Sequence, residues 1–311
     1  MLELVRYILL SSGDLLRRNW QRELMYWAEE LPFVTIKGTL SRRRLLWTMP
    51  DAPLKIANYE LLARDVAAIG EDAFPEFDLV ILDEAQRIKN RDSTTSQAAR
   101  SLPRKRSWAL TGTPMENRAE DFVTLLEFLR VLPDRSNPDL RQLNALAQHH
   151  VLRRTKDRVL TDLPPRLDHD DYVDLTPAQE TAYQRAESEG VIRLSHLQDA
   201  ITIQHVFELI LRLKQIANYD PLTGESSKFD RLRVAMEEIA ESGGKAILFS
   251  QWTHSLDWLH EKLGDYNPLL FHGAIPSHRR PAVLEEFEHN PKRHLLLMSY
   301  GIGAVGLNLQ F

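Results

Sequence analysis

Cysteine is absent from the 311 residues of the sequence. A disulfide framework and any metal site built from thiolates are therefore excluded. The sequence also lacks an apolar run near the roughly 18 residues that a membrane helix needs, and its start lacks the pattern of a secretory signal peptide. These absences predict a cytoplasmic protein that does not enter a membrane.

A strong excess of charge of one sign is also missing, since the formal net charge is only −5. A wholly basic coat for nucleic acid is thereby excluded, although local clusters of lysine and arginine can still bind phosphates. The eleven histidines show no spacing typical of a metal site. What the chain does have is a hydrophobic content of 43%, which is enough to fill the cores of two domains of ordinary size.

An unbroken apolar run at residues 79–82 is followed at once by two carboxylates, Asp83 and Glu84. A run without polar alternation is typical of a strand buried on both faces of a parallel α/β sheet. Ligands of such sheets bind beyond the carboxyl ends of the strands, so these acids are placed for hydrolysis of a nucleoside triphosphate. Asp83 would hold Mg²⁺ beside the phosphates, and Glu84 would polarise the attacking water. The alternative is that Asp83 merely caps a helix that begins near Ala85.

A second short strand is predicted at residues 108–111, and it runs into Gly112, Thr113 and Pro114. Thr113 is suited to be a helix N-cap, because Pro114 fits the first helical position and Glu116 completes a capping box. A well-formed helix start would explain this stretch without any functional role.

An amphipathic helix is predicted after a first strand at residues 4–10. Leu15, Leu16, Trp20, Leu24 and Trp27 follow steps of three and four residues, as on the buried face of a helix. The spacing indicates that both tryptophans belong to the core rather than to a platform for a ligand.

Two further stretches carry simpler interpretations. The arginines at positions 42–44 are most simply part of a solvated loop. Residues 142–219 are helical in pattern and lack strand signals, with a helix start at Thr176. An apolar stripe on that segment comprises residues 203, 206, 210, 213 and 216.

The segments Asp83-Glu84-Ala85-Gln86 and Leu110-Thr111-Gly112-Thr113-Pro114 resemble motifs II and III of superfamily 2 helicases, and the surroundings narrow the resemblance to Swi/Snf-type DNA translocases. Other segments match that family in order. In the first half of the chain, residues 20–23 resemble motif Ia, residues 58–62 motif Ib, and residues 114–129 the helix after motif III. Further along, residues 151–156 with 163–165 resemble the inter-lobe segment, residues 245–252 motif IV, residues 272–273 with Arg280 the next element, and residue 303 with 306–309 motif V. Collinear matches over nearly the whole chain are far more specific than any single motif.

The resemblance implies an α/β fold of two incomplete RecA-like lobes with parallel sheets, joined by a helical linker or insertion. Residues 1–150 would form the N-terminal lobe, residues 151–226 an inter-lobe brace and helical insertion, and residues 227–311 the C-terminal lobe. It also implies ATP and Mg²⁺ as cofactors and duplex DNA as the partner, contacted through its backbone without sequence preference. Such a protein would associate with the nucleoid in a prokaryote or lie in the nucleus of a eukaryote.

The resemblance also assigns roles to individual positions. Asp83 and Glu84 would be catalytic, with Asp83 on the Mg²⁺ that the nucleotide brings. Coupling to the nucleotide state is implied for Gln86, Thr111, Gly112, Thr113, Gly303 and Gly306. DNA contacts are implied for Arg17, Arg18, Asn58, Gln251, Trp252 and Asn308, and an inter-lobe brace for Arg153, Arg154 and Lys156. An exposed helix face remains the alternative for the first two arginines, and a solvated helix end for the brace.

Two parts of the family pattern do not occur within these residues. One is the Gly-Lys-Thr loop that cradles the triphosphate, and the other is motif VI, which carries the arginine fingers. Both would supply cationic groups to the phosphates, so we expect a polypeptide of these residues to hydrolyse ATP barely or not at all by itself. The alternative, from another functional class, is a non-catalytic module for nucleic-acid or protein interaction that retains the fold.

Overall fold

The structure is a computed structural model that describes residues 5–114, 118–155, 167–197, 201–220, 222–303, 307 and 309. It divides the chain into two compact units, Met1–Leu163 and Pro164–Phe311. Each unit is built on a sheet whose strands all run parallel. The predicted α/β class with parallel sheets in two lobes is confirmed, while the boundaries at residues 150 and 226 stay a prediction.

The first unit contains a five-stranded sheet in the order β2-β3-β1-β4-β5. Its strands are β1 Tyr7–Ser11, β2 Phe33–Thr35, β3 Leu54–Asn58, β4 Phe77–Asp83 and β5 Arg104–Leu110. In the register of the sheet Ser11 lies opposite Asn58, and Asp83 lies opposite Leu110. The polar residues that end β1, β3 and β4 therefore share the carboxyl edge of the sheet.

Helices connect and cover these strands, as parallel connections require. They are α1 Gly13–Trp27, α2 Leu40–Thr48, α3 Tyr59–Ile69, α4 Thr94–Ser101, α5 Ala119–Phe128 and α6 Leu140–His150, with 3₁₀ turns at Glu71–Ala73 and Ala85–Ile88. Val80 and Leu82 of β4 are fully buried in the main core. Leu79 and Ile81 are only partly buried. The prediction of a strand buried on both faces is therefore confirmed for one face, while the other face is only partly covered.

The second unit contains a three-stranded sheet in the order β6-β8-β7. Its elements are α7 Pro177–Leu197, α8 Ile203–Ile216, α9 Ser227–Glu241, β6 Ala246–Ser250, α10 Thr253–Lys262, a 3₁₀ turn Gly264–Tyr266, β7 Leu269–Phe271, α11 Arg280–His289, β8 Leu295–Ser299 and α12 Tyr300–Gly303. All five residues of β8, the central strand, are buried. No helix in the described ranges is long and apolar enough to cross a bilayer.

The two tryptophans of α1 have different surroundings. Trp20 packs against the buried cluster of Leu9, Leu54 and Ile56. Trp27 is 76% exposed, and its indole N–H donates to Glu23 one turn back. The prediction that Trp27 belongs to the core is wrong, because α1 ends there and the ring lies on the surface against Tyr26.

The arginines at positions 42–44 lie in α2 rather than in a loop. Arg43 donates from Nε to both carboxylate oxygens of Asp65, at 2.9 Å each, and Trp47 donates to Oδ2 of the same group at 2.9 Å. The Asp65 side chain is fully buried, whereas that of Arg43 is 16% exposed. The solvated-loop interpretation is therefore wrong, since one member of the triplet anchors α2 to α3.

The region 142–219 is only partly helical. Residues 151–155 and 167–176 have no regular structure, whereas α7 begins at Pro177 as predicted. Thr176 Oγ1 accepts from the backbone N–H of Gln179, at 3.2 Å, and forms a capping box with that residue. The predicted stripe on α8 is mostly exposed at its amino-terminal half and becomes buried only at Ile216.

Candidate nucleotide site at the carboxyl edge of the first sheet

The two adjacent carboxylates lie where β4 ends. Asp83 is the last residue of the strand, and Glu84 adopts a left-handed backbone conformation with φ of 52°. That conformation is uncommon for a residue other than glycine and is concentrated at functional sites. Ala85 and Ile88, both fully buried, anchor the 3₁₀ turn that follows, so Glu84 is held at a sharp change of chain direction.

The carboxylate of Asp83 is held by donors from β1 and α1. Trp20 Nε1 donates to Oδ2 at 2.8 Å, and Ser11 Oγ donates to the same oxygen at 3.2 Å. Within the described part of the chain, no hydrogen bond reaches Oδ1. The 3₁₀ turn has no side-chain cap. Asp83 is thus oriented toward the sheet edge and does not cap a helix, contrary to the alternative weighed from the sequence.

Tyr59 fixes the backbone at the same point. Its hydroxyl donates to the carbonyl oxygen of Asp83 at 2.8 Å, from a fully buried position at the start of α3. Burial, and then the negative charge of Asp83, raise the pKa of the Tyr59 phenol well above its usual value. The phenol therefore stays neutral and acts as a permanent hydrogen-bond donor.

A chain of hydrogen bonds links the end of β4 to the end of β5. Gln86 Nε2 donates to Glu84 Oε2 at 2.7 Å, and Thr111 Oγ1 donates to Gln86 Oε1 at 2.8 Å. The backbone N–H of Thr113 then donates to Thr111 Oγ1 at 3.1 Å. Four of the predicted residues, Glu84, Gln86, Thr111 and Thr113, are therefore joined by hydrogen bonds, and their role in coupling stays a prediction.

The helix after this segment begins later than predicted. The described helix α5 starts at Ala119, with Arg118 as its N-cap. Thr113 uses its backbone N–H to bond Thr111, and Glu116 of the predicted capping box lies outside the described residues. A methyl group at Gly112 would meet open space, so the tip beside the carboxylates is accessible.

The predicted DNA-binding residues of the first unit lie at the same sheet edge. Arg17 and Arg18 are on α1 shortly after β1 ends, the first partly buried and the second exposed. Asn58 ends β3 and caps α3, because its Oδ1 accepts from the backbone N–H of Leu61 at 2.8 Å. The structure brings these residues to the edge that carries Asp83, and their binding role stays a prediction.

The corresponding residues of the second unit follow β6 and β8. Gln251 is exposed, and Trp252 is partly buried at the start of α10. Both line a cavity of about 480 Å³ together with Tyr219, which stacks on Trp258 with ring centroids 4.7 Å apart. Gly303 closes α12, while Gly306 and Asn308 lie outside the described residues.

The predicted brace is described only in part. Arg153 and Arg154 are exposed and have no regular structure, and Lys156 lies outside the described residues. Their exposure agrees with the solvated alternative, although they lie just beyond α6, which ends at His150, and not within the helix. Their role as a brace remains a prediction.

Sequence reasoning missed three residues that position Asp83. Ser11, Trp20 and Tyr59 each contribute a donor, but the sequence predicted no contact with Asp83 for any of them, although Trp20 and Tyr59 fall in the segments that resemble motifs Ia and Ib. A usable signal existed for Ser11, which is a hydroxyl residue at the end of a strand predicted to lie in the same parallel sheet.

The donor set suits Mg²⁺ that arrives with a nucleotide. Among the described residues, no group of three histidine or acidic side chains could hold a metal alone. A single carboxylate with one oxygen not engaged by the described groups, as in Asp83, fits an ion that takes its remaining ligands from phosphates and water.

Comparisons with known proteins cover nearly all of the chain. The model of the SNF2-related domain matches residues 7–138 and 134–222, and that of the helicase conserved C-terminal domain matches residues 227–311. An uncharacterized ATP-dependent helicase of Mycoplasma genitalium is 27% identical over 94% of this chain and 30% of its own length. A putative ATP-dependent helicase/translocase of Bacillus subtilis, YwqA, is 26% identical over 94% of this chain and 35% of its own length. This chain thus spans about a third of the length of those relatives.

A solved structure also matches the chain. The SWI2/SNF2 ATPase core of Sulfolobus solfataricus in complex with dsDNA is 25% identical, with 95% of this chain and 67% of that chain covered and a TM-score of 0.44.

Proposed function

The chain belongs to the SNF2-related family, and from that premise we propose that it is part of the ATPase core of a motor that moves along double-stranded DNA. Relatives that match 94% of the chain carry names of ATP-dependent helicases, among them a putative translocase. The observation that supports the proposal most strongly is the hydrogen-bonded series from Glu84 through Gln86 to Thr111.

The chemistry assigned to this site is attack of water on the γ-phosphate of ATP. Asp83 would provide a ligand for Mg²⁺, which when bound neutralises charge on the β- and γ-phosphates. Trp20 and Ser11 donate to Oδ2 of Asp83, which leaves Oδ1 as the oxygen that would bind the ion. One carboxylate oxygen thus remains available for the ion, while hydrogen bonds to the other keep the side chain oriented.

Glu84 would orient the attacking water. Its Oε2 accepts from Gln86, which leaves Oε1 as the acceptor for a water hydrogen. A glutamate held in this way acts by positioning and by polarising the nucleophile, which are the main protein contributions to phosphoryl transfer. When the γ-phosphate leaves, the change at Glu84 would pass through Gln86 to Thr111 and Thr113.

Duplex DNA is the proposed partner, contacted mainly at its phosphates. Arg17, Arg18 and Asn58 in the first unit and Gln251 and Trp252 in the second are the described candidates for these contacts. Phosphate contacts carry no base code, which suits a motor that must pass over any sequence. Binding is expected to weaken with salt, with a slope of about −0.9 in log affinity per phosphate contact on duplex DNA.

We further propose that a polypeptide of these 311 residues alone hydrolyses ATP barely or not at all. No Gly-Lys-Thr loop occurs within it, and an arginine finger is worth about 10³ to 10⁵ in rate where one is used. The competing proposal is a non-catalytic interaction module. It is less favoured, because a module without turnover has no need of an uncommon backbone conformation at Glu84.

The test compares two polypeptides for ATP hydrolysis, with and without random-sequence duplex DNA. One comprises the 311 residues, and the other is extended at both ends to include a phosphate-binding loop and motif VI. We expect DNA-stimulated turnover only in the longer polypeptide. Robust turnover by the shorter polypeptide would show that hydrolysis needs neither the phosphate-binding loop nor motif VI. DNA binding without turnover by both would favour the interaction module.

A further inference from the structure

A cavity of about 780 Å³ opens in the first unit beside the start of β5. Arg104, which lines it, is the first residue of β5, whereas the Asp83 site lies beside the last residue of that strand. A strand rises about 3.3 Å per residue, so the cavity and the carboxylate site are roughly 20 Å apart. The cavity is thus separate from the candidate nucleotide site.

Arginine dominates the lining of this cavity. The charged residues are Arg91, Arg100, Arg104, Arg130 and Arg135 with Asp92, Glu127 and Asp134, an excess of two positive charges. Such an excess inside a concave, partly desolvated space attracts anions more strongly than the same charges on a flat surface. The chain as a whole is acidic, with a net charge of −5, so this concentration is local.

Two of the three carboxylates, Glu127 and Asp134, already pair with arginines of the lining. Glu127 has a fully buried side chain, and its Oε2 accepts from Arg91 Nε at 3.0 Å and from Arg100 Nη1 at 3.1 Å. Its Oε1 also accepts from the backbone N–H of Ser136 at 3.2 Å. Arg100 in addition pairs with Asp134. The carboxylate of Glu127 is therefore fully engaged by two arginines and one backbone N–H, and it cannot pair with the remaining arginines of the lining.

Arg104 is a buried cation that pairs with no carboxylate of the described residues. It is 4% exposed, and its guanidinium donates to the carbonyl oxygens of Arg100, Leu102 and Phe128, at 2.7 to 3.0 Å, and to Ser107 Oγ at 2.8 Å. Burial, followed by the nearby positive charges of Arg130 and Arg100, lowers the pKa of Arg104 to about 10. Arg104 is therefore still charged at neutral pH, and carbonyl and hydroxyl dipoles rather than a carboxylate compensate part of its charge.

Arg130 and Arg135 stand at the two ends of the loop that forms the outer wall. Both are exposed, and both have a φ of 59°, a left-handed conformation that few residues other than glycine adopt. Arg130 Nη1 donates to the carbonyl oxygen of Arg104 at 2.8 Å, which ties it to the buried cation. Backbone conformations of this kind in residues other than glycine cluster at functional sites, ligand clamps among them.

We propose that this cavity binds a small phosphorylated anion through Arg130 and Arg135, with Arg104 providing the positive potential behind them. Guanidinium groups bind phosphate with paired hydrogen bonds, which favours this class of ligand over a simple halide. The volume falls within the range of about 300 to 1,000 Å³ that is usual for small-molecule sites. The concave shape favours a free oligophosphate or nucleotide over the backbone of a duplex.

The probe is pyrophosphate, titrated calorimetrically into the 311-residue chain without Mg²⁺ at constant ionic strength. The test variant is R130Q/R135Q, which removes two charges from exposed positions. The matched control is Arg141→Gln, an exposed arginine of α6 that does not line the cavity. We expect the double variant to lose at least tenfold in affinity and the control to bind as the wild type does. Thermal unfolding checks that all three chains are folded.

Two further arms locate the ligand. Asp83→Asn should leave pyrophosphate affinity at this cavity unchanged, because the candidate nucleotide site lies at the opposite end of β5. ATP without Mg²⁺ is the second probe. If ATP binds more tightly than pyrophosphate and the double variant loses that binding, the site is assigned to nucleotides. If the two bind equally, the site recognises the phosphate group alone. Equal pyrophosphate affinity in the double variant and the wild type would overturn the proposal. Displacement of pyrophosphate by random duplex DNA would also overturn it, in favour of a nucleic-acid surface.

Discussion

Trp20 donates its indole N–H to Oδ2 of Asp83 at 2.8 Å, although 63 positions separate the two residues in the sequence. The contact joins α1 to the end of β4 and adds a charge-assisted hydrogen bond to the apolar packing of the same ring against Leu9, Leu54 and Ile56. One side chain thus belongs both to the core and to the candidate site.

Trp20→Phe should lower ATP turnover by the extended polypeptide about 10- to 100-fold, because a hydrogen bond to a charged group contributes about 1.5 to 3 kcal/mol. The ring would still pack, so the fold should survive. The matched control is Trp27→Phe in the same helix, whose indole donates to exposed Glu23 at 3.0 Å. Steady-state ATPase rates together with circular dichroism check the prediction. Equal effects of the two substitutions would contradict it.

Thr111→Val should remove DNA stimulation while retaining nucleotide binding. The valine keeps the shape of the side chain but cannot donate to Gln86 Oε1 or accept from the N–H of Thr113. The measurement is the ratio of ATPase rates with and without duplex DNA, with Thr111→Ser as the variant that restores the hydroxyl. If DNA stimulates the valine variant as fully as the wild type, this hydrogen-bonded series does not couple ATP hydrolysis to DNA binding.

Asp65→Asn should destabilise the first unit by about 3 kcal/mol, the low end of the cost of breaking a buried ion pair. Arg43 and Trp47 both donate to this buried carboxylate, so the substitution leaves their donors poorly matched. The control is Glu60→Gln, which breaks an exposed pair with Arg87 and should cost less than about 1 kcal/mol. Urea unfolding of both variants measures the difference, and comparable costs would refute the anchoring role of Asp65.

The sequence predicted the strands that carry the site because their signals are local. The apolar run before Asp83 and the residues before Thr111 became β4 and β5, with the carboxylates at the carboxyl edge as parallel topology requires. The two three-residue strands, β2 and β7, went unpredicted because they are too short to show a periodicity.

The polar contacts inside the site could not be predicted from periodicity. The spacing on α1 places Trp20 on the buried face, but it does not say which polar atom its N–H will meet. For the same reason the sequence indicates a loop for the arginine triplet, since only the fold brings Asp65 within reach of Arg43. Long-range pairs of this kind depend on how helices dock on the sheet.

Acid should weaken the second unit in part through Asp220. Burial alone would raise its pKa, but hydrogen bonds from the Thr223 hydroxyl and from the N–H groups of Leu222 and Thr223 hold the pKa of Asp220 below its usual value of 3.8. Since the folded-state pKa is depressed, the stabilisation is fully present above about pH 5 and is lost as the pH falls through the folded-state value.

Asp220→Asn should therefore lower the free energy of unfolding at pH 6, and the gap to the wild type should narrow below pH 3.8. The control is Glu261→Gln, an exposed acidic residue of α10 in the same unit. Urea unfolding followed at several pH values tests this. A gap that stays constant down to pH 2.5 would contradict the assignment.

The most direct test of the central claim is single-turnover ATP hydrolysis by the extended polypeptide carrying Glu84→Gln, beside Glu71→Gln as an exposed matched control. If Glu84 orients the attacking water, the variant should bind ATP with Mg²⁺ about as tightly as the wild type while its hydrolysis rate falls by about 10² to 10⁴. The control should hydrolyse ATP at the wild-type rate. A Glu84→Gln rate within a few-fold of the wild type, with binding intact, would contradict the claim that this carboxylate pair is the hydrolytic site.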